Sequence, residues 1–504
     1  MAVVAVAVGL FQLSTIRPGH DWGGDFAQYI LHARNIVEGR SYSDTGYLYN
    51  PNYPYLAPPT YPPLFPLLLA GVYAVCGLHL TAMKSLCILF FSLALIALFS
   101  ALQRILPWRA RLAVIVVVGF NPFFWQFKDQ VLSDLPFLFL CTLSLCLMQR
   151  LDGGDPPSTA SGRTTHGVLC GVVMFLSYAT RSIGLVLPVC LIAHRLWRDR
   201  RLNRGVAVAV CTMAVGAVIE NLTLHRDGRY LDQLAVYLGG SEVLFGLLLT
   251  RVTLWWGGLV TLWDNGLNAP VSFAVTLGAV VLSCVGFIGV IRCEGGSVLE
   301  FFALGYLGSV LLWPMGHDPR FLIPVLTLYV AYAAAGCQQL AARFTRPPAR
   351  TAIAMVVLVI VAGGYACRFA TFDYGPLTRG ATGTSANQLF EFVRDRTEST
   401  DVLVFIKPRV MALMTGRRCS VYHVAEDDSF WEYLVQIRAA YLITARWSVL
   451  DRRWLDGFIG RHRDRLDLVH GDGDHRVYRV NRGASASTKK IGVPQPMGRA
   501  GESG

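Results

Sequence analysis

Charged residues are scarce in this chain, and lysine is far rarer than arginine. Only 15% of the 504 residues are charged, whereas an ordinary soluble domain carries roughly 25%. Each charge at the centre of a bilayer costs a few kcal/mol, so this deficit is typical of a lipid-embedded chain. Because 53% of the residues are hydrophobic, the composition favours a membrane protein over a series of soluble domains.

Paired cysteines and nucleotide-binding motifs are also absent. The 12 cysteines lie mostly in apolar segments, and none forms a CxxC pair or a Cys/His cluster with metal-site spacing. Neither a disulfide framework nor a structural metal site is therefore expected. No P-loop, HExxH or GxSxG stands in a suitable context, so soluble nucleotide chemistry is unsupported.

The formal net charge of +12 comes largely from arginines at the ends of apolar runs. No basic stripe interleaved with aromatic residues occurs elsewhere, so nucleic acid is not expected as a partner. The basic loops are 104–111, 150–163, 195–204, the site of Arg292, and 343–350. If these loops are cytoplasmic, as the positive-inside rule predicts, then 121–134, Arg181, 225–268, 317–320 and the tail after 367 are extracytoplasmic.

Apolar runs long enough to span a bilayer recur along the first 367 residues. They predict about eleven helical spans: 1–16, 85–102, 112–120, 135–148, two short spans within 167–194, 205–224, 270–291, 298–313, 321–340 and 351–367. A cleaved signal peptide is the alternative for the first run. The proline-led segment 62–80 is interpreted as interfacial, which leaves 17–61 outside; if it spans, that loop is cytoplasmic.

The tail from Arg368 has a different pattern. It predicts strands at 402–406, 421–424, 441–444 and 477–480, with helices at 387–396, 410–415 and 430–439. Alternating strands and helices indicate a small α/β domain. The predicted fold is thus mainly α: a polytopic transmembrane domain over 1–367, a small α/β extracytoplasmic domain over 368–481 and a disordered tail over 482–504.

Acidic residues mark the predicted external surface. Asp21 and Asp25 stand four residues apart, so a helix would place both on one face, where they suit general-base chemistry. The alternative is a solvated loop with helix-capping aspartates. Asp134 begins an apolar run, where it either caps the helix or faces the same cavity as Asp25.

Cationic residues lie on the same side. Arg181 interrupts an apolar hairpin, and Arg320 precedes a span beside His317 and Asp318. Ionisable groups at membrane depth are functional candidates, and the planar guanidinium matches phosphate oxygens. The alternative is snorkelling toward lipid headgroups. Five first-loop tyrosines either cap a cavity or form an aromatic belt: Tyr47, Tyr49, Tyr53, Tyr55 and Tyr61.

Several short blocks resemble the GT-C membrane glycosyltransferases, a superfamily that includes protein O-mannosyltransferases and aminoarabinose transferases. The blocks are GDFAQY (24–29), ARNIVEG (33–39), YPPLFPLL (61–68), LSDLPF (132–137), ATRSIGL (179–185), DPRFLIP (318–324), VFIKPR (404–409) and TGR (415–417). Their order and spacing extend over most of the chain. One departure is the single acidic residue, Asp25-Phe26, where protein O-mannosyltransferases have an Asp-Glu pair.

The resemblance implies transfer of a sugar from a polyprenyl-phosphate donor to a lipid, glycan or protein acceptor. It places Asp25 at the first-loop acidic position, as the general base, with Asp21 as the alternative base. Asp134 matches the second acidic position. Arg181 and Arg320 match cationic positions near the donor phosphate, with Lys128 as a further candidate for that group. Tyr29, His317 and Asp318 are expected in the cavity.

Other functions remain open at this point. A lipid-linked glycan transporter should show internal repeats and broken mid-membrane helices, and neither is evident. A non-catalytic membrane subunit is the third hypothesis. No metal site is predicted, although a divalent cation is compatible with the resemblance. We expect a multi-pass protein of the plasma or inner membrane whose C-terminal domain is extracytoplasmic.

Overall fold

A computed structural model describes residues 1–53, 56, 60–152, 160–224, 241–264, 269–313, 318–344 and 347–481. Helices dominate these residues. In chain order, the α-helices are Ala2–Ser14, Gly24–Val37, Leu64–Cys76, Leu80–Ala101, Trp108–Gly119, Pro122–Trp125, Asp134–Asp152, Ala160–Thr180, Val186–Asp199, Arg204–Leu224, Ser241–Trp263, Ala269–Glu294, Val298–Leu312, Ile323–Phe344, Pro347–Ala370, Thr384–Arg396, Pro408–Thr415, Asp427–Gln436 and Asp456–Arg461. Short 3₁₀ segments occupy Leu102–Arg104, Gln126–Asp129, Ser182–Leu185 and Pro319–Leu322, and a π-helix covers Asp451–Leu455.

Several of these helices are long and apolar enough to cross a membrane, as the composition predicted. Within the described ranges, five pass both criteria: Leu80–Arg104, Asp134–Leu151, Arg204–Leu224, Pro270–Cys293 and Pro319–Arg343. A sixth is the pair Trp108–Gly119 and Pro122–Asp129, bent by 49°. Four apolar helices are shorter, among them Ala2–Ser14 and Leu64–Cys76. The number of about eleven spans stays a prediction.

Several helix breaks in the apolar part of the chain carry polar side chains. At one bend, the Asn121 side chain accepts the Phe123 amide and Pro122 supplies the first helical residue. At the 3₁₀ segment Pro319–Leu322, the Asp318 carboxylate likewise accepts a hydrogen bond from a backbone amide, that of Arg320, and Pro319 is the first residue of the segment. The break predicted at 180–182 is confirmed, since Arg181 has extended backbone between two helical segments.

Strands of the first loop and of the C-terminal segment form a six-stranded sheet. Its strands are β1 (Tyr47–Leu48), β2 (Val402–Val404), β3 (Arg418–Ser420), β4 (Ala439–Ala445), β5 (Leu466–Gly471) and β6 (His475–Val480), in the spatial order β1-β3-β2-β4-β6-β5. The first four strands in that order are parallel, whereas β6 is antiparallel to both its neighbours. Every residue of β2 and β4 is buried, which explains their continuous apolar sequences.

Two details of the predicted tail are wrong. The strand predicted at 421–424 is instead Arg418–Ser420, and β5 was not predicted. Strand β5 has a largely exposed surface, so it lacks the apolar run that marks a buried strand. The predicted disordered segment 482–504 lies outside the described residues.

The sheet is not built by the C-terminal segment alone. Strand β1 belongs to the first loop and pairs with β3, and the Cys419 amide donates to the Gly46 carbonyl at 2.9 Å. Gly46 has φ of +72°, a backbone conformation that favours glycine. Further along, the Leu377 amide donates to the Pro18 carbonyl at 2.9 Å. The predicted division at residue 367 therefore separates two segments that are joined by hydrogen bonds.

Candidate active site

A cavity of about 530 Å³ opens between the first loop and the C-terminal segment. Its charged lining has more cations than anions. The cations are Arg17, Arg320, Lys407 and Arg409; the carboxylates are Asp21, Asp25 and Asp318. These side chains come from parts of the sequence that are far apart, so the cavity exists only in the folded chain.

Asp25 is a carboxylate of this cavity that pairs with two arginines. It lies in the first turn of the helix Gly24–Val37, where a negative charge complements the helix dipole. The Arg320 Nη2 lies 2.5 Å from its Oδ2, and the Arg409 Nη1 lies 3.2 Å from its Oδ1. About a quarter of the Asp25 side chain is exposed, since the relative accessibility is 26%. Asp25 is therefore paired with two cations and still reachable from the cavity.

Tyr61 completes this arrangement. Its hydroxyl donates to Oδ1 of Asp25 at 2.7 Å and accepts a hydrogen bond from Nη1 of Arg409 at 2.6 Å. Arg409 is 2% exposed and stands in the first turn of the helix Pro408–Thr415. Pro408 at the first helical position fixes where that turn begins. The result is a triangle of Asp25, Tyr61 and Arg409.

The charges around Asp25 control its ionisation. Burial alone raises the pKa of a carboxyl group, but the Arg320 and Arg409 guanidiniums and the Tyr61 hydroxyl outweigh burial and hold the pKa of Asp25 well below its usual range. Asp25 is thus a carboxylate at neutral pH. In this resting arrangement it is a weak proton acceptor.

Asp21 lines the same cavity but lies in a loop before the helix. Of the two interpretations of the Asp21–Asp25 spacing, the structure therefore has the loop, and the two carboxylates do not share a helical face. The helix begins only at Gly24, because Asp21 forms a tight turn in which its Oδ1 accepts the Gly23 amide at 2.8 Å. Its Oδ2 accepts from the Gln130 amide at 2.6 Å.

His20 supports Asp21 from the other side. The Nε2 of His20 accepts the Val131 amide at 3.3 Å, so Nδ1 carries the proton and points at Asp21 Oδ1 at 3.1 Å. Burial works against ionisation, but the contacts with His20, Gln130 and Gly23 hold the pKa of Asp21 well below its usual range. Asp21 is consequently occupied by local partners.

A second ion pair lies close to the first. Arg181 Nη1 is 2.7 Å from Oδ1 of Asp134, and its guanidinium stands 5.1 Å from the Phe321 ring. The Arg320 guanidinium is also 5.1 Å from that ring, so Phe321 contacts both cations. Such cation–π contacts are favourable and hold the planar groups in place.

Tyr29 links the two ion pairs. Its hydroxyl lies 2.7 Å from the Ser133 hydroxyl, which is 3.4 Å from Nη1 of Arg181. Its ring packs on Tyr61 with centroids 4.9 Å apart. The structure therefore brings Tyr29, Asp25, Asp134, Arg181 and Arg320 into one network. Of these five, only Asp25 and Arg320 are among the residues that line the cavity, so the prediction that Tyr29 lines it is wrong.

Other predicted residues lie differently. Lys128 is fully buried, donates to Asp129 at 2.7 Å and stacks on Trp125, and it is not among the residues that line the cavity. Its neighbour Asp129 also accepts from the Arg17 side chain at 2.8 Å, and Arg17 does line the cavity. Asp318 lines the cavity and caps the turn that carries Arg320. His317 lies outside the described residues.

Six polar residues of the cavity lining were not proposed from sequence as site residues: Arg17, His20, Gln126, Gln130, Lys407 and Arg409. Arg409 and Lys407 belong to the block VFIKPR, so the resemblance carried a usable signal for them. Burial lowers the pKa of Lys407, while the nearby Asp21 and Asp25 act in the opposite direction. Arg17 and Gln130 had no such signal, because isolated polar residues at the end of an apolar run are common.

A metal site is not apparent in this region. Across the described part of the chain, no three His, Cys, Asp or Glu side chains converge as ligands would. Both oxygens of Asp25 already accept hydrogen bonds from arginine or tyrosine.

Known sequences and structures differ in what they match. No family description and no curated protein sequence matches this chain. Solved structures do match. One is the oligosaccharyltransferase AglB of Archaeoglobus fulgidus, in complex with an inhibitory peptide and a dolichol-phosphate. It is 12% identical to this chain with a TM-score of 0.59, and the match covers 88% of this chain and 69% of the AglB chain. ArnT of Cupriavidus metallidurans, bound to undecaprenyl phosphate, is 14% identical with a TM-score of 0.57, covering 96% and 99%.

A second AglB structure, with Zn and sulfate, has a TM-score of 0.60 at 12% identity over 95% of this chain and 73% of that one. At such identities the likeness concerns the fold. It extends over nearly the whole chain and includes the soluble segment in the match. The chain thus has the fold of the GT-C membrane glycosyltransferases, as the sequence blocks around Asp25, Asp134, Arg181 and Arg320 implied.

Proposed function

We propose that this protein is an integral-membrane glycosyltransferase. It transfers a sugar from a polyprenyl-phosphate donor to an envelope lipid, glycan or protein on the extracytoplasmic face. The main support is the pairing of Asp25 with both Arg320 and Arg409 in a cavity next to apolar helices. The lipid phosphates bound by AglB and ArnT, which share the fold, agree with this choice of donor.

The arginines serve the donor phosphate. A phosphodiester that becomes a leaving phosphate gains negative charge as the glycosidic bond breaks, and guanidiniums stabilise that charge. Arg320 is placed for this role because it borders the cavity and contacts Phe321 beside Arg181. The Asp134 carboxylate holds Arg181 at 2.7 Å and so fixes the second fork.

Donor binding also activates Asp25. In the resting state Arg320 neutralises Oδ2 of this carboxylate at 2.5 Å. When a donor phosphate draws Arg320 away, Oδ2 loses its partner and becomes a stronger base. The Tyr61 and Arg409 contacts on Oδ1 keep the carboxylate oriented during this exchange.

The chemical step is then a single displacement at the anomeric carbon. The acceptor oxygen or nitrogen forms a bond to the anomeric carbon as the bond from that carbon to the phosphate oxygen breaks. The acceptor proton moves to Oδ2 of Asp25, and the electron pair leaves with the polyprenyl phosphate. General-base catalysis of this kind contributes about 10²–10⁴-fold to rate.

A donor-consumption assay tests the proposal. Wild type, Asp25→Asn and Asp395→Asn are purified in detergent and incubated with radiolabelled polyprenyl-phosphate sugars and total membrane lipid. Asp395 is exposed on the helix Thr384–Arg396, so the same substitution there controls for charge loss alone. We expect wild type and Asp395→Asn to release label from one donor. The rate of release by Asp25→Asn should be lower by at least about 100-fold.

One pattern of results would contradict the proposal. If no donor is consumed by any of the three proteins, and all three move a lipid-linked glycan across liposomes at the same rate, the enzyme assignment is wrong and a transporter replaces it.

A further inference from the structure

One first-loop side chain points away from the cavity. Trp22 stands between Asp21 and Asp25, and its indole stacks on Trp447 with centroids 5.1 Å apart and planes at 24°. Three further rings surround it edge-on at similar distances. They are Phe390 at 6.0 Å, Phe405 at 5.9 Å and His475 at 5.9 Å. We call Phe390, Phe405, Trp447 and His475 the aromatic socket.

The aromatic socket is built entirely by the C-terminal segment. Phe390 lies on the helix Thr384–Arg396, Phe405 directly follows β2, Trp447 follows β4, and His475 begins β6. Phe390 and Phe405 are fully buried, and His475 is 2% exposed. Four separate elements of the tail thus converge on one indole from the first loop, and aromatic pairs prefer these stacked and edge-on geometries.

Hydrogen bonds fix the orientation of the His475 ring. The Trp447 Nε1–H donates to Nε2 of His475 at 3.3 Å, which leaves the proton of the neutral ring on Nδ1. That proton faces the Ser385 hydroxyl at 3.0 Å, and the hydroxyl in turn donates to Asp472 at 3.3 Å. Because Ser385 and Asp472 both approach Nδ1, this trio orients the imidazole and is not arranged as a nucleophile with its base.

The aromatic socket and the cavity share the same short stretch of chain. Phe405 forms one wall of the aromatic socket. Lys407 and Arg409, two and four residues later in the chain, line the cavity. On the loop side, Trp22 directly follows Asp21 and precedes the helix that carries Asp25. Fixing Trp22 against Phe405 therefore fixes the separation between Asp25 and Arg409.

We propose that Trp22 is a positioning residue, anchored in the aromatic socket, through which the C-terminal segment holds Asp21 and Asp25 in register with Arg409. The inference rests on the proposed function for its catalytic consequence, but the anchoring is a property of the fold. It also gives the C-terminal segment a role: this segment supplies part of the catalytic cavity and sets its geometry. Small displacements at a reacting site are costly, about 10²-fold in rate for an error of 1 Å.

The test combines turnover with loop protection. Wild type, Trp22→Ala, Trp22→Phe and Trp197→Ala are compared; Trp197 is 65% exposed on the helix Val186–Asp199 and serves as the matched control. Turnover is measured with the labelled donor that wild type consumes, and amide hydrogen exchange is followed over residues 20–29. We expect Trp22→Ala to lower kcat about 100-fold with little change in donor KM and to speed exchange in that segment. Trp22→Phe should recover most of both, because it retains an aromatic ring.

Two results would overturn the inference. One is faster amide exchange in Trp22→Ala together with a wild-type kcat, which would mean that the aromatic socket only stabilises the loop and does not position the catalytic groups. The other is unchanged exchange over residues 20–29, which removes the anchor whatever the turnover. If Trp22→Ala fails to fold, Trp447→Ala removes the stacked ring from the opposite side and is judged by the same two criteria. Failure of wild type to consume any donor would contradict the proposed function, while the exchange comparison still decides the anchor.

Discussion

The Arg409 guanidinium lies 3.2 Å from Oδ1 of Asp25, although 384 residues separate the two along the chain. Tyr61 joins them through a hydrogen bond to each. The surroundings of the candidate base are therefore formed both by the N-terminal part of the chain and by the C-terminal segment. A mutation in the C-terminal segment should therefore change the geometry around Asp25.

Replacing Arg409 should impair both stability and turnover. Arg409→Ala removes one of the two cations paired with Asp25 and the hydrogen-bond donor to the Tyr61 hydroxyl, so we expect a loss of about 1–3 kcal/mol in unfolding free energy. Turnover should fall at least about 100-fold. Arg409→Lys should recover stability better than turnover, because an ammonium keeps the charge but loses the fork. Thermal unfolding and donor consumption are measured together, with exposed Arg396→Ala as control.

The pH profile should reveal the coupling between Arg320 and Asp25. Arg320 lowers the pKa of Asp25, so Arg320→Gln should raise that pKa toward the ordinary value. Activity that needs the carboxylate is lost as pH falls through its pKa, and the acid limb of kcat/KM should therefore move to higher pH. An acid limb that stays in place, or moves lower, would show that Asp25 does not control it.

The two first-loop aspartates should separate in mutant assays. Asp25→Asn should cost about 10²–10⁴-fold in turnover, as expected for a general base. Asp21→Asn should cost less than about 10-fold, because an amide oxygen can still accept the Gly23 amide hydrogen bond at the turn. Single-turnover rates with excess enzyme compare the chemical step directly. The reverse ranking would assign the base to Asp21.

Asp134 distinguishes a helix cap from a catalytic ion pair. Asparagine is as good a cap as aspartate, so a capping role predicts that Asp134→Asn is nearly silent. The pairing with Arg181 at 2.7 Å predicts instead a raised donor KM, because the guanidinium loses its partner. Donor saturation curves decide between them, and Ser133→Ala reports on the neighbouring hydroxyl contact.

Local patterns account for much of what was predicted. Low charge and long apolar runs are properties of the chain itself, and they led to a membrane protein with helices such as Leu80–Ala101 and Arg204–Leu224. The interruption at Arg181 was also visible, because a charged residue inside an apolar run must lie at an end or a break. Short blocks around Asp25 and Arg320 are sufficient to indicate the GT-C fold through their resemblance to that superfamily.

Local patterns misled where a turn competed with a helix. The four-residue spacing of Asp21 and Asp25 suggested one helical face, but the Asp21 carboxylate captures the Gly23 amide and delays the helix to Gly24. The strand predicted at 421–424 lies earlier in the structure, because pairing with β1 and β2 sets the register at Arg418–Ser420. Register depends on the partner strand, which the segment's own sequence does not contain.

The sequence by itself determined that this chain has apolar helices long enough to cross a bilayer, and which short blocks resemble the GT-C membrane glycosyltransferases. Only the tertiary structure decided that Arg409 and Tyr61 share Asp25, that β1 joins the C-terminal sheet, and that Trp22 enters the aromatic socket. The physical reason is range. Hydropathy and helix periodicity act over a few turns of chain, whereas an ion pair or a stacked ring pair depends on where two distant segments meet.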